Sequence, residues 1–415
     1  MADRPFRFIH AGDLHLERPL FGIADLPDHL HDLCVDAPYR AAQRVFDCAL
    51  LQSVDFVLLC GDVLSIEQCG PRGLLFLREQ FERLNAQEIG VYWVGGETDP
   101  PDAWPSELKL PPNVRFFSRA KPEAMTISRK GAYFAHMIGL SYARRRAIKA
   151  ADFTVGENHG LFTIVAAHGD VDRETLLARD VGYWALGGRH ERQTVTTNPT
   201  TAYYPGSPQA REPSEIGPHG CTLVEVVPGT TPHLQFLPCD SVRFINQKIT
   251  LEVSTTRDQL DRLIESRMAD MIASATGLDL FVSWTFGGRG RLLSQMRHGS
   301  LATEIINNLR KTYGHRNPAI WSASITAQPD IAVNDDLLKQ DTILGEYLRA
   351  VDYHLREDER ADQGVLDLAD SLTELQRNCG LGPLVSLADP THRDRILRRA
   401  AALGTDVLSG GEAHA

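Results

Sequence analysis

Four apolar runs in the first 190 residues each lead into a metal-type side chain, and this feature most restricts how the chain can fold. Asp13-Leu14-His15 follows Phe6 to Ile9, and Gly61-Asp62 follows Phe56 to Leu59. His168-Gly169 follows Phe162 to Val165, and His190 follows Tyr183 to Leu186. Helical spacing of apolar residues from Arg40 to Ser53 and from Gly73 to Leu84 separates the early strands, and another strand falls at Val91 to Val94. This βαβα alternation implies an α/β fold with a mainly parallel sheet and helices on both faces. Ligands of such sheets collect beyond the C-terminal strand ends, where these acids and histidines fall.

From Phe162 onward the strands become denser. Ala202 to Tyr204, Cys221 to Val227 and Leu234 to Leu237 read as strands joined by Gly/Pro turns, which suits a second sheet packed on the first. The pattern then restarts. Phe244 to Val253, Asp279 to Trp284 and Ala319 to Ile325 read as strands, with helices at Thr256 to Ala273 and Ser300 to Thr312. Helices are expected at Leu337 to Leu355, Val365 to Gln376 and His392 to Ala402. The organisation read from this is a domain over 1–240, a small α+β domain over 241–330 and a helical region over 331–415.

Composition excludes little: 43% of the 415 residues are hydrophobic and 23% charged, as in ordinary globular proteins. No apolar run reaches membrane-spanning length and no signal-type segment opens the sequence, so a cytoplasmic location without membrane contact is expected. The seven cysteines form no CxxC pair and read as scattered reduced thiols. A net charge of -11 counts against non-specific nucleic-acid affinity, apart from local patches at Arg144-Arg145-Arg146 and Gly287 to Arg291. No GxxxxGK[ST] or GxGxxG motif is present, so neither ATP nor NAD is expected to bind.

Two divalent cations roughly 4 Å apart can clamp a phosphate and activate water for attack on it. Such a centre needs a carboxylate shared by both ions, with His, Asp or Asn around them. Asp-x-His at one strand end and Gly-Asp at the next supply these types. The order Gly12-Asp13-Leu14-His15, Gly61-Asp62, Gly96-Glu97-Thr98-Asp99-Pro100, His168-Gly169 and Gly187-Gly188-Arg189-His190 resembles the calcineurin-like metallophosphoesterases. Tyr204-Pro205-Gly206-Ser207 and the stretch Ile9 to Leu20 resemble its SbcD/YhaO-type DNA repair exonuclease branch. The motifs cover residues 6 to about 240; beyond that the likeness is one of architecture.

The resemblance implies a four-layer α/β-β/α sandwich with a small α+β capping domain and a helical C-terminal region. It implies metal-dependent phosphodiester hydrolysis, with Mn2+ as the expected divalent metal, one ion or two. One metal would take Asp13, His15 and His190, and Asp62 would bridge to a second held by His168 and Glu97. Asp62, Asp13 and His168 are the expected catalytic residues. Three positions depart from the pattern: Glu97 stands for Asn, Thr98 for a proton-donating His and Gly188 for a ligand His; Ser65 also replaces a frequent His or Asp. Reduced activity follows, since a threonine hydroxyl does not titrate near neutral pH. The resemblance also implies DNA as a partner, an SbcC-like coiled-coil ATPase and a homodimer. A catalytically degenerate DNA-binding or regulatory subunit, and a small-molecule phosphodiesterase, are the alternatives.

Other polar residues read as structural. Asp99 suits a turn-holding role, Glu191 a surface acid and His136 a strand position. His10 suits a buttress for a ligand. His29 and His31 read as loop residues after the first motif.

Overall fold

A computed structural model describes residues 4–328, apart from 130, 143–146, 155, 157, 159, 178–180 and 276, together with 338–356, 397, 401, 404 and 408. The described residues divide into two compact units. One holds residues up to 246 with 272–283 and 310–324; the other holds 247–271, 284–309 and the described residues from 325 on.

Two six-stranded sheets organise the first unit. The first runs β14 (His233–Pro238), β13 (Gly220–Val226), β1 (Phe6–Ala11), β2 (Phe56–Cys60), β3 (Gly90–Val94), β4 (Val114–Phe116). The second runs β11 (Gln193–Thr196), β12 (Thr201–Tyr204), β10 (Tyr183–Gly187), β8 (Phe162–His168), β6 (Ala132–Leu140), β5 (Glu123–Arg129). Strands β1 to β4 are mutually parallel, as are β6, β8, β10 and β12.

Alternation along each strand explains the continuous apolar runs. On β1, Phe6 and Phe8 face the second sheet, in one core with Phe56, Leu58, Phe134, Ile164, Tyr183 and Tyr203. Ile9 and Ala11 face the other way, packing with Val57, Leu59, Val45, Phe46, Leu77 and Phe81. The last four of these come from helices α1 (Asp28–Leu51) and α2 (Gly70–Asn85). The outer face of the second sheet, including Val165, Trp184 and Ala202, packs on Phe153 and on Leu176 of the short helix α3 (Arg173–Leu177). Both sheets are therefore buried on both faces, as parallel sheets require. This is the α/β sandwich expected from the sequence.

A two-stranded ribbon pairs β7 (Ala147–Ile148) with β9 (Asp170–Val171), and a three-stranded sheet runs β15 (Val242–Leu251), β16 (Asp279–Gly288), β17 (Ile320–Ala327). Helices α4 (Arg257–Ser274), α5 (Arg291–His298) and α6 (Leu301–Tyr313) separate those strands, and a further helix spans Ile343–Arg356.

Two readings change. Helix α1 begins at Asp28, not near Arg40, so His29 and His31 are helical rather than in a loop. It runs through Pro38, which lacks the N–H that Cys34 would normally receive. The Leu20 N–H bonds the Cys34 carbonyl at 3.2 Å instead, so the break costs little. His29 bonds the Gly314 carbonyl and stacks on His315. Second, β13 and β14 extend the first sheet, because β13 pairs antiparallel with β1, Phe8 opposite Val224. The expected helix at Val365 to Gln376 and the basic stretch Arg144 to Arg146 lie outside the described residues, as does nearly all of His392 to Ala402. Among the described residues no helix is long and apolar enough to cross a membrane.

Candidate metal centre

The C-terminal ends of β1, β2, β3, β8 and β10 meet in the first unit, and glycines set how closely. A Cβ on Gly61 would lie 2.3 Å from His168 Nδ1, and one on Gly96 2.4 Å from Asp62 Oδ1. Asp13, His15 and Asp62 have φ of 55°, 43° and 50°, left-handed values that cost non-glycine residues about 1–3 kcal/mol each. Hydrogen bonds hold them there: Asp13 N to Gly61 O at 2.9 Å, His15 N to Asp62 O at 3.0 Å and Leu16 N to Val63 O at 3.2 Å. The β1 loop is thus laced along the β2 loop, turning both carboxylates and one imidazole inward.

Two groups of ligand atoms result: Asp13, His15 and His190, and Asp13, Asp62 and His168, with all atoms of each group within 4.8 Å of one another. Thr98 donates its amide and its hydroxyl to Asp62 Oδ1, both at 3.0 Å. This leaves Oδ2, which lies 3.4 Å from His168 Nε2 and 3.8 Å from His15 Nε2. Asp13 Oδ2 accepts the Gly188 N–H at 3.0 Å, whereas Asp13 Oδ1 and both His15 nitrogens are buried without a hydrogen-bond partner among the described residues. A buried polar atom left unpaired costs about 1–3 kcal/mol. Bare lone pairs from Asp and His, converging on one point, fit a divalent cation.

Electrostatics agree with that fit. Burial works against a charged His168, yet Asp62, Asp13 and the Cys60 carbonyl 2.8 Å from Nδ1 push its pKa up to about 9. Burial would also raise Asp62, but His168 and His15 hold it well below the carboxylate range. Asp13 is raised, mainly by burial. His15 is lowered by burial, against the pull of Glu17. His168 and Asp62 thus favour each other's charged forms across the 3.4 Å between them.

Of the sequence-derived ligands, Asp13, His15, Asp62, His168 and His190 come together. Glu97 is exposed and stands outside both groups; its neighbours Gly96 and Thr98 are tied down by Asp99 and Asp62. Gly188 has φ 98°, and its Cβ would sit 3.1 Å from His168 Nε2, beside the second group. Asp99 holds the turn: buried, it accepts the amides of Asp62, Gly96 and Val63 and the Trp93 indole N–H, at 2.6–3.1 Å. His10 bonds the Tyr183 hydroxyl at 2.9 Å and joins neither group.

Three contributors escaped the sequence reading. Glu17 is buried, accepts the Ser65 N–H at 2.7 Å and places Oε1 3.9 Å from His15 Nδ1. Its position two residues after His15 was the available signal. Glu215 bonds His190 Nδ1 at 2.9 Å, and the buried Arg211 contacts the same ring. Neither lies in a recognisable spacing, because they reach the centre only through the fold. The Tyr204 to Ser207 segment braces it: the Tyr204 hydroxyl bonds Gly169 O at 2.8 Å and Ser207 N bonds His190 O at 2.9 Å.

This arrangement of strand-end carboxylates and histidines accords with a sequence match. Residues 6–188 match the sequence model of the calcineurin-like phosphoesterases. Over those residues the chain is similar to this family. A Bacillus subtilis (strain 168) protein described as "Uncharacterized metallophosphoesterase YhaO" is 34% identical over 235 residues, 54% of this chain. The match spans 58% of that relative's length. A dimetal phosphatase from Danio rerio has a TM-score of 0.33 at 12% identity, covering 55% of this chain and 98% of its own.

Proposed function

We propose that the protein is a divalent-cation-dependent phosphodiesterase of the SbcD type, acting on the DNA backbone with Mn2+ as its metal. The observation that carries this reading is the pair of ligand groups sharing Asp13, with the unbonded oxygen of Asp62 turned toward both. Asp13, His15 and His190 would hold one cation and Asp13, Asp62 and His168 the other. Bound cations would offset phosphate charge and lower the pKa of water.

The chain's own residues supply the rest. Thr98 locks one Asp62 oxygen, so the carboxylate cannot swing and the spacing of the two groups is set. Glu215 orients the His190 ring through its Nδ1, and Arg211 lies against the ring's Nε2. Arg211, buried against His190, brings a positive charge suited to a phosphoryl oxygen. The position that would donate a proton to the leaving group holds Thr98, whose hydroxyl is engaged by Asp62. Lacking general-acid help costs about 10²- to 10⁴-fold, so turnover is slow.

A second reading is a subunit that keeps the fold for DNA binding or regulation, working with an SbcC-like coiled-coil ATPase in the cytoplasm, as a homodimer. Thr98 and Gly188 favour it, since both are committed to holding carboxylates rather than to chemistry. Hydrolysis of bis-p-nitrophenyl phosphate and of single-stranded and duplex DNA by wild type and Asp62→Ala separates the readings. Mn2+-dependent cleavage lost in Asp62→Ala supports the enzyme. Equal background in both, with DNA still bound, supports the subunit.

A further inference from the structure

Away from the phosphoesterase centre, the fold gathers three cysteines that the sequence scatters. Cys48 lies on α1, Cys221 on β13 and Cys239 directly after β14. Their Sγ atoms all lie within 4.8 Å of one another, and those of Cys221 and Cys239 are 3.7 Å apart. Strand pairing explains the approach. Cys221 faces Leu237 across the antiparallel pair, so Cys239, two residues further, emerges on the same face. Helix α1 packs over that face and brings in Cys48.

We propose that Cys48, Cys221 and Cys239 form a second metal site that holds one thiophilic d10 cation, zinc or copper(I), through three thiolates. A tetrahedral ion bonded to sulfur at about 2.3 Å separates neighbouring sulfurs by about 3.8 Å, close to the 3.7 Å between Cys221 and Cys239. A buried cysteine usually acts as a small apolar filler. Cys34 and Cys60 fit that role, since burial pushes Cys34 up to about 12 and Cys60 well above the ordinary thiol range. Cys48 differs: its neighbours Cys221 and Cys239 and the Arg44 guanidinium hold its thiol below the ordinary range, against burial.

Arg44 lies one turn before Cys48 and bonds the carbonyls of Cys239 and Asp240, which fixes a positive charge beside the sulfurs. That charge offsets part of the excess negative charge three thiolates would carry. Binding forms three metal–sulfur bonds and releases to water the thiol protons the sulfurs carry; no electrons move. Cys48 is half-buried and gives a route inward. Among the described residues no fourth His, Cys, Asp or Glu joins the group. Zinc would complete its shell with water, whereas copper(I) accepts three sulfurs alone. An all-sulfur set selects soft ions, unlike the Asp and His set of the phosphoesterase centre.

The test uses the full chain, reduced and stripped by chelator. It is titrated with Co2+ as a spectroscopic stand-in for zinc, and separately with copper(I). The expected result is a sulfur-to-metal charge-transfer band saturating at one equivalent, which the Asp and His centre cannot produce. Back-titration with Zn2+ and with copper(I) shows which ion displaces cobalt. Cys48→Ala, the mildest truncation because it is part-exposed, is expected to lose the band while keeping its circular dichroism, and Cys34→Ala to keep the band. No charge-transfer band in wild type with either ion, or an undiminished band in folded Cys48→Ala, overturns the proposal.

Discussion

Replacing Asp62 by Asn removes the charge around which the centre is arranged while leaving its shape. In the apo protein the clearest consequence falls on His168, whose Nε2 lies 3.4 Å from Asp62 Oδ2. Burial alone would lower this imidazole, but Asp62, Asp13 and the Cys60 carbonyl bring it from 6.5 to about 9. At about 1.4 kcal/mol per pH unit, the raised value corresponds to roughly 3 kcal/mol favouring the folded, protonated ring. That contribution is full below pH 6.5 and is lost as the pH rises through about 9. Asp62 is the largest of the favourable partners, and an opposite charge at this range shifts a pKa by about 1–3 units. Asp62→Asn should therefore bring His168 down by that much and flatten the loss of stability between neutral and alkaline pH. Urea unfolding of chelator-treated wild type and variant at pH 6, 7.5 and 9, with His168 followed by NMR, measures both effects. A wild-type His168 that titrates near 6.5, or identical pH profiles in the two proteins, would refute the reasoning.

Cation binding requires neutral imidazole, so Mn2+ affinity measured by calorimetry should rise by up to about tenfold per pH unit between pH 7 and 9. A flat profile would remove His168 from the ligand set. Glu17→Gln should weaken cation binding by about 10- to 100-fold through loss of the charge beside His15; unchanged affinity would show that Glu17 serves only Ser65. Asp99→Ala strips the acceptor from four buried N–H donors and should destabilise the protein by about 3–5 kcal/mol in urea unfolding, whereas a change under 1 kcal/mol would mean the turn is held otherwise. Gly187→Ala, whose Cβ would fall 1.6 Å from the Cys60 carbonyl, should lower the melting temperature and displace His168; a neutral outcome would mean the two strand ends are not in contact.

The strand-end ligands were legible because they depend on local pattern: an apolar run, a glycine and an acid or histidine. The layered sandwich was legible for the same reason, since strands apolar on both faces have few other ways to be buried. What the sequence concealed depends on pairings far apart in the chain. The placement of β13 beside β1 joins residues more than two hundred positions apart, and no local feature of Gly220 to Val226 announces it. Helix α1 extends N-terminally past Pro38, and the Leu20 N–H, reaching in from another segment, takes the Cys34 carbonyl that the proline leaves free. Glu215 and Arg211 reach His190 through a loop without motif spacing. Glu97 carried a suitable carboxylate, yet the bonds of Gly96 and Thr98 leave it exposed, outside both groups.

On the proposed function, two cations share the space between Asp13, His15, Asp62, His168 and His190. Anomalous scattering from a crystal equilibrated with Mn2+ tests it most directly. Two peaks are expected: one against Asp13, His15 and His190, the other against Asp13, Asp62 and His168. No peak within this group, or manganese held instead at Glu97 with Asp62 left bonded only to Thr98, would contradict it.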